Sequence, residues 1–386
     1  MKIDILKAAL FTPMADGRWG LPIMFWGPPG VAKTAAMRAL ARRCGWYLEH
    51  LTPGERGEGA FGVVPVPVHG AHGTVISYPS PDWVDGFERK DKEAAGVCFL
   101  DEINTAPPAL QPALLGALQE RRIGGAFLGA RVRMVGAANP TGHAAAGWDL
   151  AAPVANRMGH LDWPVIDTDT WTSWLMNGAV DDGAPVDADA EEARVMAEWP
   201  QTFAHACGLI AAFVRRRPEL LHKMPNDGDP AQGRAWPSPR TWEYATRAFA
   251  SAKLHGLSED DSEEFVAAFV GPAAAGELYV WLREADLPDP AELLDGRVKF
   301  EADKRRPDRT EAVLNACIAI VAPANAAKRD DRSRAFWKLS RDVMGCGKDA
   351  VTPAVKRAID AGLQRLPEAR EVLAGLFDVL NAAGVR

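Results

Sequence analysis

The residues that could do chemistry begin with Gly27-Pro28-Pro29-Gly30-Val31-Ala32-Lys33-Thr34. A short apolar run, residues 21–26, precedes them, and helix-forming residues 33–44 follow, closed by Gly45. Backbone N–H groups at such a strand-to-helix turn point outward and favour an anion. Glycines let the loop wrap a phosphate chain closely, Lys33 supplies a point charge, and the Thr34 hydroxyl can reach Mg2+. Ala32 stands where such loops carry glycine before the lysine; its small side chain leaves phosphate room if its φ is negative. A second group, Asp101-Glu102, follows the apolar run 97–100. The C-terminal end of a buried strand is where α/β folds bind ligands. Asp101 suits the Mg2+ shell, and Glu102 can accept a proton from an attacking water or orient it. On its own the pair would equally read as a helix N-cap. Asn139 ends the run 134–138 and is held by Pro140. Its amide could hydrogen-bond both a γ-phosphate and a water, or shape a turn. Together these groups point to hydrolysis of a nucleoside triphosphate with Mg2+.

Such groups need strands that end side by side. Apolar segments at 21–26, 46–51, 96–100, 131–138 and 158–163 read as strands. Helical spacing of Leu110, Leu114, Leu115 and Leu118 predicts a helix over 107–120. The alternation implies a three-layer αβα domain with a parallel sheet over residues 1–165. Within it, residues 53–82 are rich in glycine and proline and read as an insertion with a hairpin near Gly70–Gly73. Residues 166–190 form a polar, acidic connector. Residues 191–257 read as a helical lid, with Ser238-Pro239 as N-cap and first-turn proline. Residues 258–386 read as an all-helical C-terminal extension, whose first helix starts at Ser258.

Composition sets the outer limits. Of 386 residues, 47% are hydrophobic and 25% charged, which fits a globular chain and excludes a disordered or collagen-like one. No apolar run approaches 18 residues, so no transmembrane helix is expected, and Asp4 and Lys7 make the start too polar for a secretory signal. The five cysteines are widely spaced and form no CxxC pair, which argues against a zinc site or a disulfide framework and for buried thiols in a reducing cytoplasm. The net charge is −7, and the excess of acid lies beyond residue 165. That balance argues against binding duplex nucleic acid.

The order of GPPGVAKT, FLDEIN, LLGALQERRI, GAANP, ANRMGH and SPR over about residues 20–250 resembles the AAA+ ATPases, and more narrowly their MoxR-like branch. The resemblance implies a five-stranded αβα nucleotide domain, a helical lid, and a homo-hexameric ring with nucleotide between neighbours. It puts Lys33 and Thr34 in Walker A, Asp101 and Glu102 in Walker B, and Asn139 at sensor 1. Arg157 resembles an arginine finger, although Asn156 stands where an acidic residue is usual. Arg240 resembles sensor 2; it starts a helix, where the dipole disfavours a cation. Arg121 and Arg122 end a helix favourably and read as structural or as subunit contacts. Residues 53–82 and 123–128 resemble the pore-facing insert and hairpin of this branch. Phe127 would there grip a peptide, or else pack into the core. The implied activity is an ATP-driven motor that remodels or activates a client protein, often one with a von Willebrand factor A domain. The alternatives are a nucleotide-gated scaffold with little hydrolysis and a DNA-linked motor, the latter weakened by the acidic C-terminal part.

Overall fold

The structure, a computed structural model, describes residues 3–61, 64–70, 73–88, 95–140, 148–177, 184–324 and 326–382. Parts of the predicted insertion and connector, and the two residues at the tip of the predicted hairpin, lie outside them. The first part of the chain runs α1 (Ile3–Leu10), β1 (Ile23–Trp26), α2 (Lys33–Arg43), β2 (Tyr47–Leu51), α3 (Pro53–Arg56), β3 (Val66–Gly70), β4 (Gly73–Ser77) and α4 (Asp85–Glu88). It continues with β5 (Gly96–Leu100), α5 (Gln111–Glu120), β6 (Arg122–Ile123), β7 (Ala126–Phe127), β8 (Val132–Ala138), α6 (Ala152–Ala155), β9 (Gly159–Asp162) and α7 (Thr168–Asn177). Each predicted strand is present, trimmed by at most two residues at an end. The helix expected from residue 107 starts only at Gln111; Ala106, which precedes Pro107, is extended, and residues 108–110 form a turn that leads into the helix.

Five strands make one all-parallel sheet in the order β2-β5-β8-β1-β9. Its central strands β5 and β8 are buried along their whole length, as their apolar runs require. Helix α10 (Glu259–Val270) packs against the edge strand β9. Met24, Cys98, Leu100, Leu114, Leu118 and Met134 belong to the core on one side of the sheet. Arg133, inside β8, is the exception to the apolar pattern. It is fully buried, paired with Glu192, bonded to the Leu10 carbonyl at 3.1 Å and stacked over Trp46 at 4.2 Å. A paired, hydrogen-bonded and stacked guanidinium offsets the desolvation that would otherwise exclude it.

The chain forms two compact units: Met1–Ala197 with His222–Ala275, and Glu198–Leu221 with Gly276–Arg386. The first holds the sheet, α9 (Pro239–Leu254) and α10. Helices α8 (Ala188–Arg216) and α11 (Pro272–Ala285) each carry the chain from one unit into the other. The second unit contains, besides parts of those two, α12 (Pro290–Leu294), α13 (Pro307–Val321), α14 (Arg329–Asp342), α15 (Lys348–Asp360) and α16 (Ala369–Ala382). Its core is built on Leu314, Ile318, Phe336, Trp337, Val351 and Leu376. Asp308 is buried there and accepts from Trp281 Nε1 at 2.7 Å while pairing with Arg306 and Arg216. The protein is thus an αβα parallel-sheet domain with a helical C-terminal region.

All five cysteines are free. Burial pushes the Cys98 and Cys317 thiols up to about 12 and Cys44 up to about 11, so these three stay protonated at neutral pH. Among the described residues, no helix is long and apolar enough to cross a membrane. The expected hairpin is β3 and β4, paired antiparallel with Val68 opposite Val75. Val66, Val68, Val75 and Ile76 are all exposed on it. Phe127 is 54% exposed on the β6–β7 ribbon, so it does not pack into the core.

Candidate active site

The sheet order explains how distant motifs meet. β5, β8 and β1 are consecutive neighbours, and their C-terminal ends deliver Asp101-Glu102, Asn139 and the loop 27–32 to one edge. Register is level across them: Leu100 faces Gly136, and Gly136 faces Met24. Gly27 follows β1 where a Cβ would lie 2.8 Å from the Trp163 carbonyl, so no side chain fits. Gly30 takes φ +78°, which glycine adopts without strain. Trp163 Nε1 donates to the Val31 carbonyl at 3.0 Å and pins the loop from the next strand. Pro29 is exposed at the loop's turn.

Lys33 is only 7% exposed and folds back over this loop. Its Nζ donates to the Gly27 carbonyl at 2.6 Å, the Pro28 carbonyl at 3.1 Å and Asn139 Oδ1 at 2.9 Å. Burial pushes the ammonium pKa down, and the charges of Asp101 and Glu102 oppose that. The three hydrogen bonds all end on neutral oxygens, so a buried cation here is solvated without being directly paired. A phosphate oxygen would serve it better. Thr34 Oγ1 donates to Asp101 Oδ2 at 2.6 Å. The Thr34 lone pairs, with the carboxylate, form the hard-oxygen donor set that suits Mg2+. These residues therefore fit a Mg2+–nucleotide, with Lys33 toward phosphate and Thr34 and Asp101 toward the metal.

Glu102 takes φ 51°, ψ 40°, a left-handed conformation uncommon for a non-glycine residue. Its N–H donates to Asp101 Oδ1 at 3.0 Å, and its Oε1 lies 3.5 Å from Asn139 Nδ2. Strain of this kind costs about 1–3 kcal/mol and concentrates at functional sites. Ala32 is a second case. Its φ is +65°, not negative, and its side chain caps nothing. The left-handed region costs a non-glycine residue about 1–2 kcal/mol. Ala32→Gly relieves that strain but adds unfolded-state entropy of about 0.5–1 kcal/mol. The expected net effect is a small rise in the thermal midpoint, about 1–3 °C. Scanning calorimetry checks it, and a fall in the midpoint contradicts the strain.

Two residues here carried no role in the sequence reading. Asn104 is 1% exposed; its Nδ2 donates to the Asn139 carbonyl at 2.9 Å and its Oδ1 accepts the Asn139 N–H at 3.4 Å. It clamps the backbone of the residue whose side chain faces Lys33 and Glu102. Its sequence signals are its place two residues beyond the carboxylate pair and its position at the end of the FLDEIN run. Asn104→Ala leaves two buried backbone groups without this partner and is expected to cost about 1–3 kcal/mol of stability. Denaturant unfolding measures the loss; a midpoint matching wild type would show that the clamp is dispensable. His50, at the end of β2, is the other, with Nε2 3.0 Å from Asp101 Oδ2.

Arg157 and Arg240 are brought together, but elsewhere. Ser238 caps α9 with a reciprocal Ser238–Thr241 capping box, as its sequence predicts, and Arg240 falls in the first turn. Its Nη1 donates to Asn156 Oδ1 at 3.4 Å. Arg157 donates to Gln119 Oε1 and to the Pro153 carbonyl, each at 2.7 Å. Burial pushes the Arg157 pKa down, and the neighbouring Arg240 charge adds to that shift. Among the described residues neither has a carboxylate partner, so two like charges share a place that lacks an anion. Arg121, expected at a helix end, is 2% exposed, and among the described residues its Nε and Nη1 have no partner; burial lowers its pKa to about 9.

This arginine pair lies at the opposite edge of the sheet from Lys33. Gly159 is level with Ile23 and Asp162 with Trp26. Arg157 therefore precedes the N-terminal edge, whereas the loop 27–32 follows the C-terminal one. Four strand residues, about 13 Å at ~3.3 Å each, separate the two edges.

No protein-family model and no curated protein sequence matches the chain. Among solved structures it is similar to one from Cytophaga hutchinsonii described as "a putative ATPase", with 14% identity and a TM-score of 0.42, over 69% of this chain and 78% of that one. A likeness that distant does not bear on the chemistry.

Proposed function

We propose that the protein is an ATP-hydrolysing AAA+ protein of the MoxR-like kind that works as a ring. The observation that carries the reading is the meeting of Lys33, Thr34, Asp101, Glu102 and Asn139 at the C-terminal ends of three adjacent parallel strands. Lys33 exchanges its loop carbonyls for phosphate oxygens and holds the triphosphate. Asn139, already 2.9 Å from Lys33 and 3.5 Å from Glu102, spans the space between phosphate and base. Glu102 accepts the proton of the attacking water, and its strained backbone fixes where the carboxylate points. Mg2+, when bound, neutralises charge developing on the phosphate oxygens.

The second site supports the ring. An arginine pair that has no carboxylate partner among the described residues, an edge away from its own loop, suits the phosphate of a neighbouring copy, where arginine stabilises the transferring phosphoryl group. A homo-hexamer and a protein client, such as one bearing a von Willebrand factor A domain, follow the family resemblance. The exposed apolar hairpin β3–β4 and Phe127 are the surfaces such a client would meet.

Equilibrium binding of a fluorescent ATP analogue tests the reading. Micromolar or tighter affinity that Mg2+ strengthens and Lys33→Ala weakens is expected. Equal binding by the wild type and Lys33→Ala would refute the site. Binding without hydrolysis would favour the scaffold instead, and salt-dependent binding of duplex DNA would favour the DNA-linked motor.

A further inference from the structure

Asp101 is held from three sides. Oδ2 accepts Thr34 Oγ1–H at 2.6 Å and faces His50 Nε2 at 3.0 Å, and Oδ1 accepts the Glu102 N–H at 3.0 Å. The histidine comes from β2, the strand beside β5, in register with Phe99, on whose ring it stacks at 5.6 Å between centroids. The Asp101 N–H in turn donates to the Leu51 carbonyl, so strand pairing continues past both residues and fixes their spacing. On its far side, His50 Nδ1 lies 3.4 Å from Arg38 Nη2, on the exposed face of the loop's own helix, α2. A guanidinium only donates, so Nδ1 accepts and the proton sits on Nε2, which donates to Asp101. The chain Arg38–His50–Asp101–Thr34 thus runs from α2 through β2 and the end of β5 back to α2.

The arrangement has a consequence for a metal. Thr34 spends its only proton on Asp101, so its remaining lone pairs are free to face a cation. That holds only while the carboxylate keeps its rotamer. With Oδ2 already taking two donors and Oδ1 one, the capacity left on Asp101 lies mainly on Oδ1. Remove the Nε2 donor and the carboxylate can rotate, carrying the Thr34 hydroxyl with it.

We propose that His50, its tautomer set by Arg38, is a positioning residue that holds Asp101 and Thr34 in the orientation that receives Mg2+ with the nucleotide. This rests on the reading of the site as a Mg2+–nucleotide site. His50 touches neither phosphate nor water in this role; it acts through Asp101, as groups behind metal ligands elsewhere do.

The test is a Mg2+ titration of fluorescent ATP analogue binding to wild type, His50→Phe and His50→Gln. Phenylalanine keeps the stack on Phe99 and removes both ring nitrogens. Glutamine restores an N–H donor near the Nε2 position. His50→Phe should need about 10-fold more Mg2+ for half of the metal-induced tightening. Its affinity without metal should match wild type, which also shows that the fold and the phosphate loop are intact. His50→Gln should recover most of the difference. Superimposable Mg2+ curves for wild type and His50→Phe would overturn the proposal. So would an equal loss of metal-free affinity, or a His50→Gln variant no better than His50→Phe. A wild type whose binding responds to no Mg2+ at all overturns the nucleotide reading and this role with it; a normal wild type with unaffected variants overturns this role alone.

Discussion

Glu102→Gln should bind ATP as tightly as wild type and hydrolyse it about 10²–10⁴-fold more slowly. The carboxylate lies outside the set of groups that hold Lys33 and Thr34; it faces the Asn139 amide, and the residue's bonds to Asp101 and Thr105 are made by its backbone N–H and carbonyl. Glutamine is nearly isosteric and keeps an acceptor oxygen for the amide, but it cannot take a proton from water at neutral pH. Lys33→Ala should behave the opposite way. It removes the buried ammonium whose neutral partners leave it ready for phosphate, so binding falls and turnover falls with it. Calorimetric affinity and phosphate release, measured on both variants, separate the two cases. Turnover of Glu102→Gln at the wild-type rate would remove Glu102 from the chemistry. Lost binding in that variant would mean that the carboxylate holds ground-state nucleotide instead.

The second large effect concerns the edge of the sheet away from the loop. If Arg157 and Arg240 serve a neighbour, a subunit carrying both Arg157→Ala and Lys33→Ala is inactive itself and also poisons the copy beside it. Mixed with wild type, it should depress activity well below the wild-type fraction. At equal proportions and with random assembly, about a quarter of sites keep both an intact loop and an intact neighbour, and removing an arginine finger costs 10³–10⁵-fold at the rest. Wild-type turnover per subunit should also rise with protein concentration as the oligomer forms. Activity strictly proportional to the wild-type fraction, from a protein that sediments as a monomer, would show that each chain works alone. The pair would then be a surface feature that merely tolerates its own repulsion.

Much of the site is legible in the amino-acid sequence because it lies where local rules are strong. A glycine-rich turn between an apolar run and a helix, and carboxylates at the end of a buried strand, mark where the residues of the site lie. The parallel sheet follows from the same alternation. What escapes is set by pairing across strands. His50 is one polar residue in a half-buried strand, and only the β2–β5 register brings it to Asp101. Asn104 reaches Asn139 because β5 and β8 are neighbours, which no spacing of 35 residues announces. The sign of φ at Ala32 depends on how the loop closes onto Trp163 and Lys33, and alanine is silent about it. Arg121 sits at a helix end that normally favours an exposed cation, yet the carbonyls of Trp19 and Gly20 lie within 3.4 Å of it and the chain there covers it. At Ala32 and Arg121 a long-range contact overrides a sound local expectation; at His50 and Asn104 it supplies what no local rule announces.

The most direct measurement is phosphate release from ATP by the purified wild-type protein, with Mg2+ and with the metal chelated. The geometry of Lys33, Thr34, Asp101, Glu102 and Asn139 predicts steady, Mg2+-dependent release that Glu102→Gln and Lys33→Ala both lack. Release no faster than that of Lys33→Ala, at protein concentrations where the nucleotide is bound, would contradict it.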